Sequence, residues 1–255
     1  MNNTDVDNLL NNNMDLFRRV SVFNNRLEVN GVLRKLIQVL NNNVEGDIVE
    51  LGCNNGGTSY WIQTVLEKYN SNKVFHVYDS WEGVPEKHSK DLTKNFIDDL
   101  VPQIGGDRKI RSVSESVLIN ENVWVKGTTK TYAINFFHTF MNNGKLKLPV
   151  VHSGWFSDIQ DSEYPDKICF AYFDGDFYNS IIDSFNKVYN KMVPGGIIVI
   201  DDCGDNTLVG VKKACEDFLV DKPEKLHLDA HPSIDGEWER TNFDKCFWGG
   251  WIQKI

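Results

Sequence analysis

Five short runs rich in Val, Ile and Phe alternate with stretches of helical periodicity, and most of them end in acids. That alternation restricts the chain to a mainly parallel sheet covered by helices on both faces. The runs are GDIVELG (46–52), KVFHVYDS (73–80), PVVHSG (149–154), KICFAYFDGD (167–176) and GGIIVIDD (195–202). Helices are expected over Thr58–Lys68, Tyr178–Lys191 and about Leu208–Leu219. LHLDA (226–230) and KCFWGGWIQKI (245–255) read as two closing strands, an antiparallel pair at the sheet edge. A single α/β domain over residues 1–255 is expected, since neither an internal repeat nor a linker interrupts it.

Two regions lie outside this alternation. Residues of about 14–41 read as two short helices broken near Asn30-Gly31, preceded by a polar start. The Asn runs at 11–13 and 41–43 read as polar linkers. Residues of about 101–148 are long and irregular, with an amphipathic helix over Thr131–Met141, and are expected to form an inserted lid.

Composition narrows the partners. The net charge of -9 argues against nucleic-acid or anionic-membrane surfaces, which demand Lys and Arg. No apolar run reaches the length of a membrane span, and the start MNNTDVDNLLNNNMD lacks the basic and apolar regions of a signal peptide. A cytoplasmic protein is the expectation. Its five cysteines are scattered without a CxxC pair, which suits reduced thiols and neither a zinc site nor a disulfide framework.

The first strand leads into VELGCNNGGTSYW, where Glu50 is followed by Gly52, Gly56 and Gly57 and then a helix start. Open α/β sheets bind ligands at the C-terminal strand ends. Glycines there admit a ligand close to the backbone, and the helix start offers free N–H groups. A dinucleotide loop reads GxGxxG, whereas this one reads GxxxGG behind an acid. Glu50 would repel a pyrophosphate but can anchor the ammonium of a methionine moiety. Asp79 ends the next strand and can accept hydrogen bonds from both ribose hydroxyls of an adenosyl group. The bland alternative is a tight turn with no ligand.

FAYFDGDFY places Asp174 and Asp176 at alternate positions, and IIVIDDCGD places Asp201 and Asp202 one strand–helix unit later. Four carboxylates crowded at one end of a sheet repel one another, and a hard divalent cation with oxygen ligands relieves this. Asp174, Asp201 and Asp202 are the expected ligands of Mg²⁺ or Mn²⁺. Asp176 is the candidate general base, although its place before Tyr178 also suits a helix cap.

Five ordered segments together resemble the macrocin/mycinamicin-type sugar O-methyltransferase family, an antibiotic-tailoring group. They are VELGCNNGGTS, VYDSWEGVP, HSGWFSDI, FAYFDGDFYNSIIDSFNKVYNKMVPGGIIVIDD and KKACEDFL, within roughly residues 45–220. The resemblance implies a class I methyltransferase, Rossmann-like sheet that binds S-adenosylmethionine in the loop from Glu50 to Ser59. That loop takes in Gly52, Asn54, Asn55, Gly56 and Thr58. It further implies cofactor roles for Asp79 and Ser80, and for Ser153, Gly154 and Trp155 beside the adenine. Asp174, Asp201 and Asp202 match the family's metal acids, and Asp176 its proposed base. Val84 and Trp81 depart mildly from the family's usual Leu and Phe, and residues 101–148 do not match, which leaves the acceptor open.

The expected chemistry is in-line transfer of a sulfonium methyl to a hydroxyl of a sugar or glycoside. A homo-oligomer is compatible with it. His76, His88, His138, His152, His227 and His231 are competing bases, with His152 expected to point into the fold and His231 the least easily dismissed. Trp81, Trp155 and Tyr178 are candidates for stacking on adenine or sugar, with a core role as the alternative. Two other readings stay open: a metal-dependent glycosyltransferase using Asp-x-Asp for a nucleotide-sugar diphosphate, and a non-catalytic protein on the same fold.

Overall fold

The structure, a computed structural model, describes residues 1–21, 26–92, 129–143, 145–204, 208–230 and 247–255. Most of the expected lid, together with His231 and Cys246, lies outside the described residues.

Seven strands form one sheet in the order β3-β2-β1-β4-β5-β7-β6. They are β1 (Asp47–Leu51), β2 (Phe75–Asp79), β3 (Val150–Ser153), β4 (Ile168–Phe173), β5 (Met192–Asp201), β6 (His227–Ala230) and β7 (Phe247–Gln253). The first five run parallel, and β7 lies antiparallel between β5 and β6. The strand order reverses between β1 and β4, so the ends of these neighbours form the crevice where such sheets take ligands.

Period-two alternation divides the strands' side chains between two cores. Ile48, Phe170, Tyr172, Ile197 and Val199 face one layer, and Val49, Leu51, Ala171, Phe173, Ile198 and Ile200 face the other. The first layer holds α1 (Asn3–Asn11), α2 (Met14–Val20), α3 (Arg26–Asn41), α4 (Gly57–Lys68) and α5 (Lys130–Phe136). The second holds α6 (Tyr178–Val188) and α7 (Val209–Leu219). This is the doubly covered, mostly parallel sheet that the alternation predicts, with its antiparallel C-terminal pair.

The N-terminal helices correct the sequence reading. The polar start is helical: Asn2 and Asp5 form a reciprocal capping box, and Val6, Leu9 and Leu10 are buried. Asn11–Asn13 joins α1 to α2, with Asn13 opening the second helix. No break occurs at Asn30-Gly31, because α3 runs through both. Asn30 is buried, donating to Asp7 at 2.7 Å and accepting from Arg34 at 2.6 Å. A tertiary network satisfies the amide that would otherwise favour a turn.

Segment 130–142 belongs to the core as far as it is described. Ala133, Phe136, Phe137 and Met141 are buried, and a wider turn over Phe137–Asn142 continues α5. The Phe137 ring sits against Gly56, where a Cβ would approach it to 2.3 Å.

Candidate functional site

At the end of β1 the chain turns beneath the end of β4. The Asp174 N–H donates to the Leu51 carbonyl at 2.8 Å, and Gly52 has φ +95°. A Cβ on Gly52 would lie 1.8 Å from the Asp174 carbonyl oxygen, so glycine lets the ends of these two parallel strands approach closely. Asn54 (φ +47°) and Gly56 (φ +91°) then curl the loop into α4. The Asn55 side chain closes the turn, its Oδ1 accepting from the Gly57 N–H at 3.1 Å. Two buried side-chain atoms in the cradle, Asn54 Oδ1 and Thr58 Oγ1, have no protein partner. Buried polar groups are seldom left so, and both fit a bound polar ligand.

Glu50 is 1% exposed and accepts a hydrogen bond from the Ser59 hydroxyl. Burial pushes its carboxyl up to about 8, against the Ser59 bond and aided by the Asp79 charge. A cationic ligand group would restore its ionised form. Asp79, at the end of β2, is also raised by burial, with backbone N–H groups opposing the rise. Its two oxygens accept from the Asn54 N–H at 2.8 Å and the Trp81 N–H at 2.7 Å. It therefore ties the glycine loop to the β2 end, and with the Cys53 N–H as a third donor its four lone pairs still leave room for one more.

The remaining cofactor candidates divide. The Gly154 N–H donates to the Asp79 carbonyl at 2.9 Å, which brings Ser153 and Gly154 beside the β2 end, and the Trp155 carbonyl accepts from the Asp158 and Ile159 N–H groups in the turn that follows. The Ser80 hydroxyl closes a local turn with Gly83 and Glu82. Trp81 is 9% exposed and donates from its indole to the Asn54 carbonyl at 2.9 Å, which clamps the loop. Tyr178 stacks on His88 at 4.7 Å, and its hydroxyl meets Lys90 and Asp217. His152 stacks on Tyr78 at 4.4 Å, pointing into the fold. Cys203 is buried 3.8 Å from Cys215, a packing role.

Beside the glycine loop, ligand oxygens of Asp174, Asp176 and Asp202 lie within 4.8 Å of one another. The sequence reading paired Asp174 and Asp202 with Asp201 and set Asp176 apart. The structure brings Asp176 into the group; Asp201 is 5% exposed with Oδ1 unpartnered, near enough to feel the charges of Asp202 and Asp174. Asp176 and Asp202 both have positive φ, 60° and 53°, so the backbone turns sharply at each strand end. Such conformations persist only where surroundings hold them, and they cluster at functional sites.

Burial first, then the charges of Asp176 and Asp202, pushes the Asp174 carboxyl well above the ordinary range. Burial, then Asp202 and Asp174, does the same to Asp201. Asp176 is raised to about 6 by burial and the Asp79 charge, opposed by Lys87. Lys87, whose ammonium sits 5.0 Å over the Phe177 ring, was not singled out from the sequence. Its place in the segment directly after β2 was the available signal. This set of hard oxygen donors fits a divalent cation such as Mg²⁺ or Mn²⁺.

A family model for macrocin O-methyltransferases matches residues 22–108 and 135–231. The 8-demethyl-8-(2,3-dimethoxy-alpha-L-rhamnosyl)-tetracenomycin-C 4'-O-methyltransferase of Streptomyces olivaceus is 27% identical over 210 residues, covering 80% of this chain and 69% of that protein. The demethyldecarbamoylnovobiocin O-methyltransferase of Streptomyces niveus is 27% identical over 209 residues, with the same coverage. Among solved structures, the O-methyltransferase NovP superposes with a TM-score of 0.62 at 19% identity, over 90% of this chain and 80% of that one.

Proposed function

The chain belongs to the macrocin O-methyltransferase family and is an S-adenosylmethionine-dependent O-methyltransferase; from that premise we propose that its acceptor is a hydroxyl of a sugar or glycoside, deprotonated by Asp176 beside a divalent ion. The observation that carries the proposal is the juxtaposition of the two halves of the site. A glycine cradle with unpartnered Asn54 and Thr58 atoms sits directly against three clustered carboxylates, because Gly52 lets the end of β1 approach the Asp174 carbonyl closely. The sugar acceptor follows the Streptomyces olivaceus relative, whose substrate carries a rhamnosyl group. With this family assignment the nucleotide-sugar glycosyltransferase reading falls away.

In this reading the methyl donor brings an already activated sulfonium methyl. Glu50 and the start of α4 hold its methionine end, and Asp79 holds the ribose, with Gly154 and Trp155 by the adenine. Asp174 and Asp202 hold the ion, with the neighbouring Asp201 as a further acid. The ion would supply positive charge that acidifies a nearby acceptor hydroxyl and offsets the crowded acids. Asp176, raised to about 6, is mostly ionised at neutral pH and able to take the hydroxyl proton. The protein's remaining task is alignment, which alone can supply a large share of the acceleration.

Calorimetry with S-adenosylmethionine and its demethylated product tests the first half. The intact chain should bind both, and Asp79→Ala should lose about 1.5–3 kcal/mol, the worth of charge-assisted hydrogen bonds. Unchanged affinity in that variant would contradict the assignment. Methyl transfer to a glycoside should stop in EDTA and return with Mg²⁺ or Mn²⁺, whereas full turnover in chelator would remove the ion.

A further inference from the structure

Asp91 belongs to neither the glycine loop nor the acid cluster, yet it is 5% exposed. It closes a single turn, Ser89–Asp91, in the segment that follows β2. Both of its oxygens are engaged: Oδ1 accepts from the Tyr178 N–H at 2.8 Å and Oδ2 from the His88 N–H at 2.7 Å. Tyr178 is the first residue of α6 and lies two residues beyond Asp176. Phe177, in the cap position, has no side-chain acceptor to offer, so Asp91 supplies from another segment the carboxylate that the helix start requires.

The same carboxylate also sets the approach of α7. A Cβ on Gly210, the second residue of that helix, would lie 1.6 Å from Asp91 Oδ1. α7 is the helix reached from Asp202, as α6 is the helix reached from Asp176. Next to Asp91, Lys90 repeats the tie further out, donating to the Tyr178 hydroxyl at 2.8 Å and to Asp217 of α7 at 2.6 Å. One buried carboxylate thus touches the first turn of both helices whose preceding strand ends bear clustered acids. Those two acids are the ones in left-handed backbone, a conformation that needs outside support.

We propose that Asp91 is a positioning residue that braces α6 against α7 and so sets the spacing of Asp176 and Asp202. Its functional consequence rests on the reading of the acid cluster as an ion site, but the positional claim does not. Two variants probe the contact from opposite sides. Asp91→Asn removes one of the two acceptors while keeping the shape. Gly210→Ala displaces the carboxylate without altering any charge, and alanine is otherwise the better helix former.

Three readouts separate the outcomes: Mn²⁺ binding to the cofactor-free chain by electron paramagnetic resonance, S-adenosylmethionine binding by calorimetry, and a crystal structure of each variant. Mn²⁺ affinity should fall tenfold or more in both variants, and the double variant should be no weaker than the poorer single one. Cofactor affinity should stay within twofold, and the three acids should no longer converge within the 4.8 Å of the intact chain. Folded variants with unchanged acid spacing and unchanged Mn²⁺ binding would overturn the proposal. Should the intact chain bind no Mn²⁺, the ion reading fails, and the acid spacing in the variant crystals alone decides the role of Asp91. If Asp91→Asn does not fold, Gly210→Ala carries the test.

Discussion

Asp174 and Asp176 are chemically identical and two residues apart, so their different tasks come from what surrounds them. Asp174 follows β4 directly, accepts from the Tyr172 hydroxyl at 3.4 Å and is flanked by like charges. Asp176 lies beyond Gly175 in left-handed backbone, with Lys87 among its charged neighbours. Asp176→Asn keeps the size but removes the proton acceptor, and kcat should fall by roughly 10²–10⁴-fold with cofactor affinity unchanged. Asp174→Asn should instead raise the metal concentration needed for half activity, read from metal titrations of the rate. Equal, metal-rescuable losses in both would make Asp176 another ligand. The motif DGD marked both acids in the sequence, but the fold over Gly175 that draws Asp176 toward Asp202 is invisible in a one-dimensional spacing.

Among the elements, the N-terminal helices support the glycine loop by packing against α4. Trp61 of α4 is 1% exposed, stacks on Phe17 of α2 at 5.6 Å and donates to the Ser21 hydroxyl at 2.9 Å. The Val20 carbonyl lies 2.8 Å from where a Cβ on Gly57 would be, so α2 ends against the first turn of α4. Trp61→Ala should cost about 3–5 kcal/mol by leaving a large cavity, measured by denaturant unfolding. A loss below about 1 kcal/mol would show the two layers to be only loosely joined. Helical periodicity in residues 16–40 was legible, but the helix ends were not. Asn and Gly mark turns only when their polar groups lack better partners, and Asp7 and Arg34 supply those partners to Asn30.

Over the whole molecule, the acids that converge at the sheet's switch point oppose folding when all are ionised. Glu50 holds its proton to about pH 8, and Asp174 and Asp201 hold theirs well above the ordinary range, each chiefly because of burial. Unfolded carboxyls ionise near about 4, so the folded chain binds more protons through the interval between, and its stability falls as pH rises through the folded values. Carboxyls that are lowered, such as Asp217 and Glu224, act in the opposite direction only in the acid range, and the lowered His76 acts so only up to the ordinary imidazole range, about 6.5. The melting temperature of the metal-free chain should therefore drop between about pH 7 and about pH 8.5, and Mg²⁺ or Mn²⁺ should narrow the difference. Scanning calorimetry showing a rise across that interval would contradict this account. The alternating apolar runs determined the layered sheet by themselves, because side-chain period and strand–helix order are local properties of the chain. The acids and glycines at the strand ends were likewise legible, because the ends of parallel strands gather on one side of a sheet. Only the tertiary structure decided which carboxylates meet, that Trp81 clamps a loop, and that Asp91 reaches two helix starts. Those contacts join residues far apart in sequence, and their geometry is set by how the helices pack, which no spacing along the chain encodes.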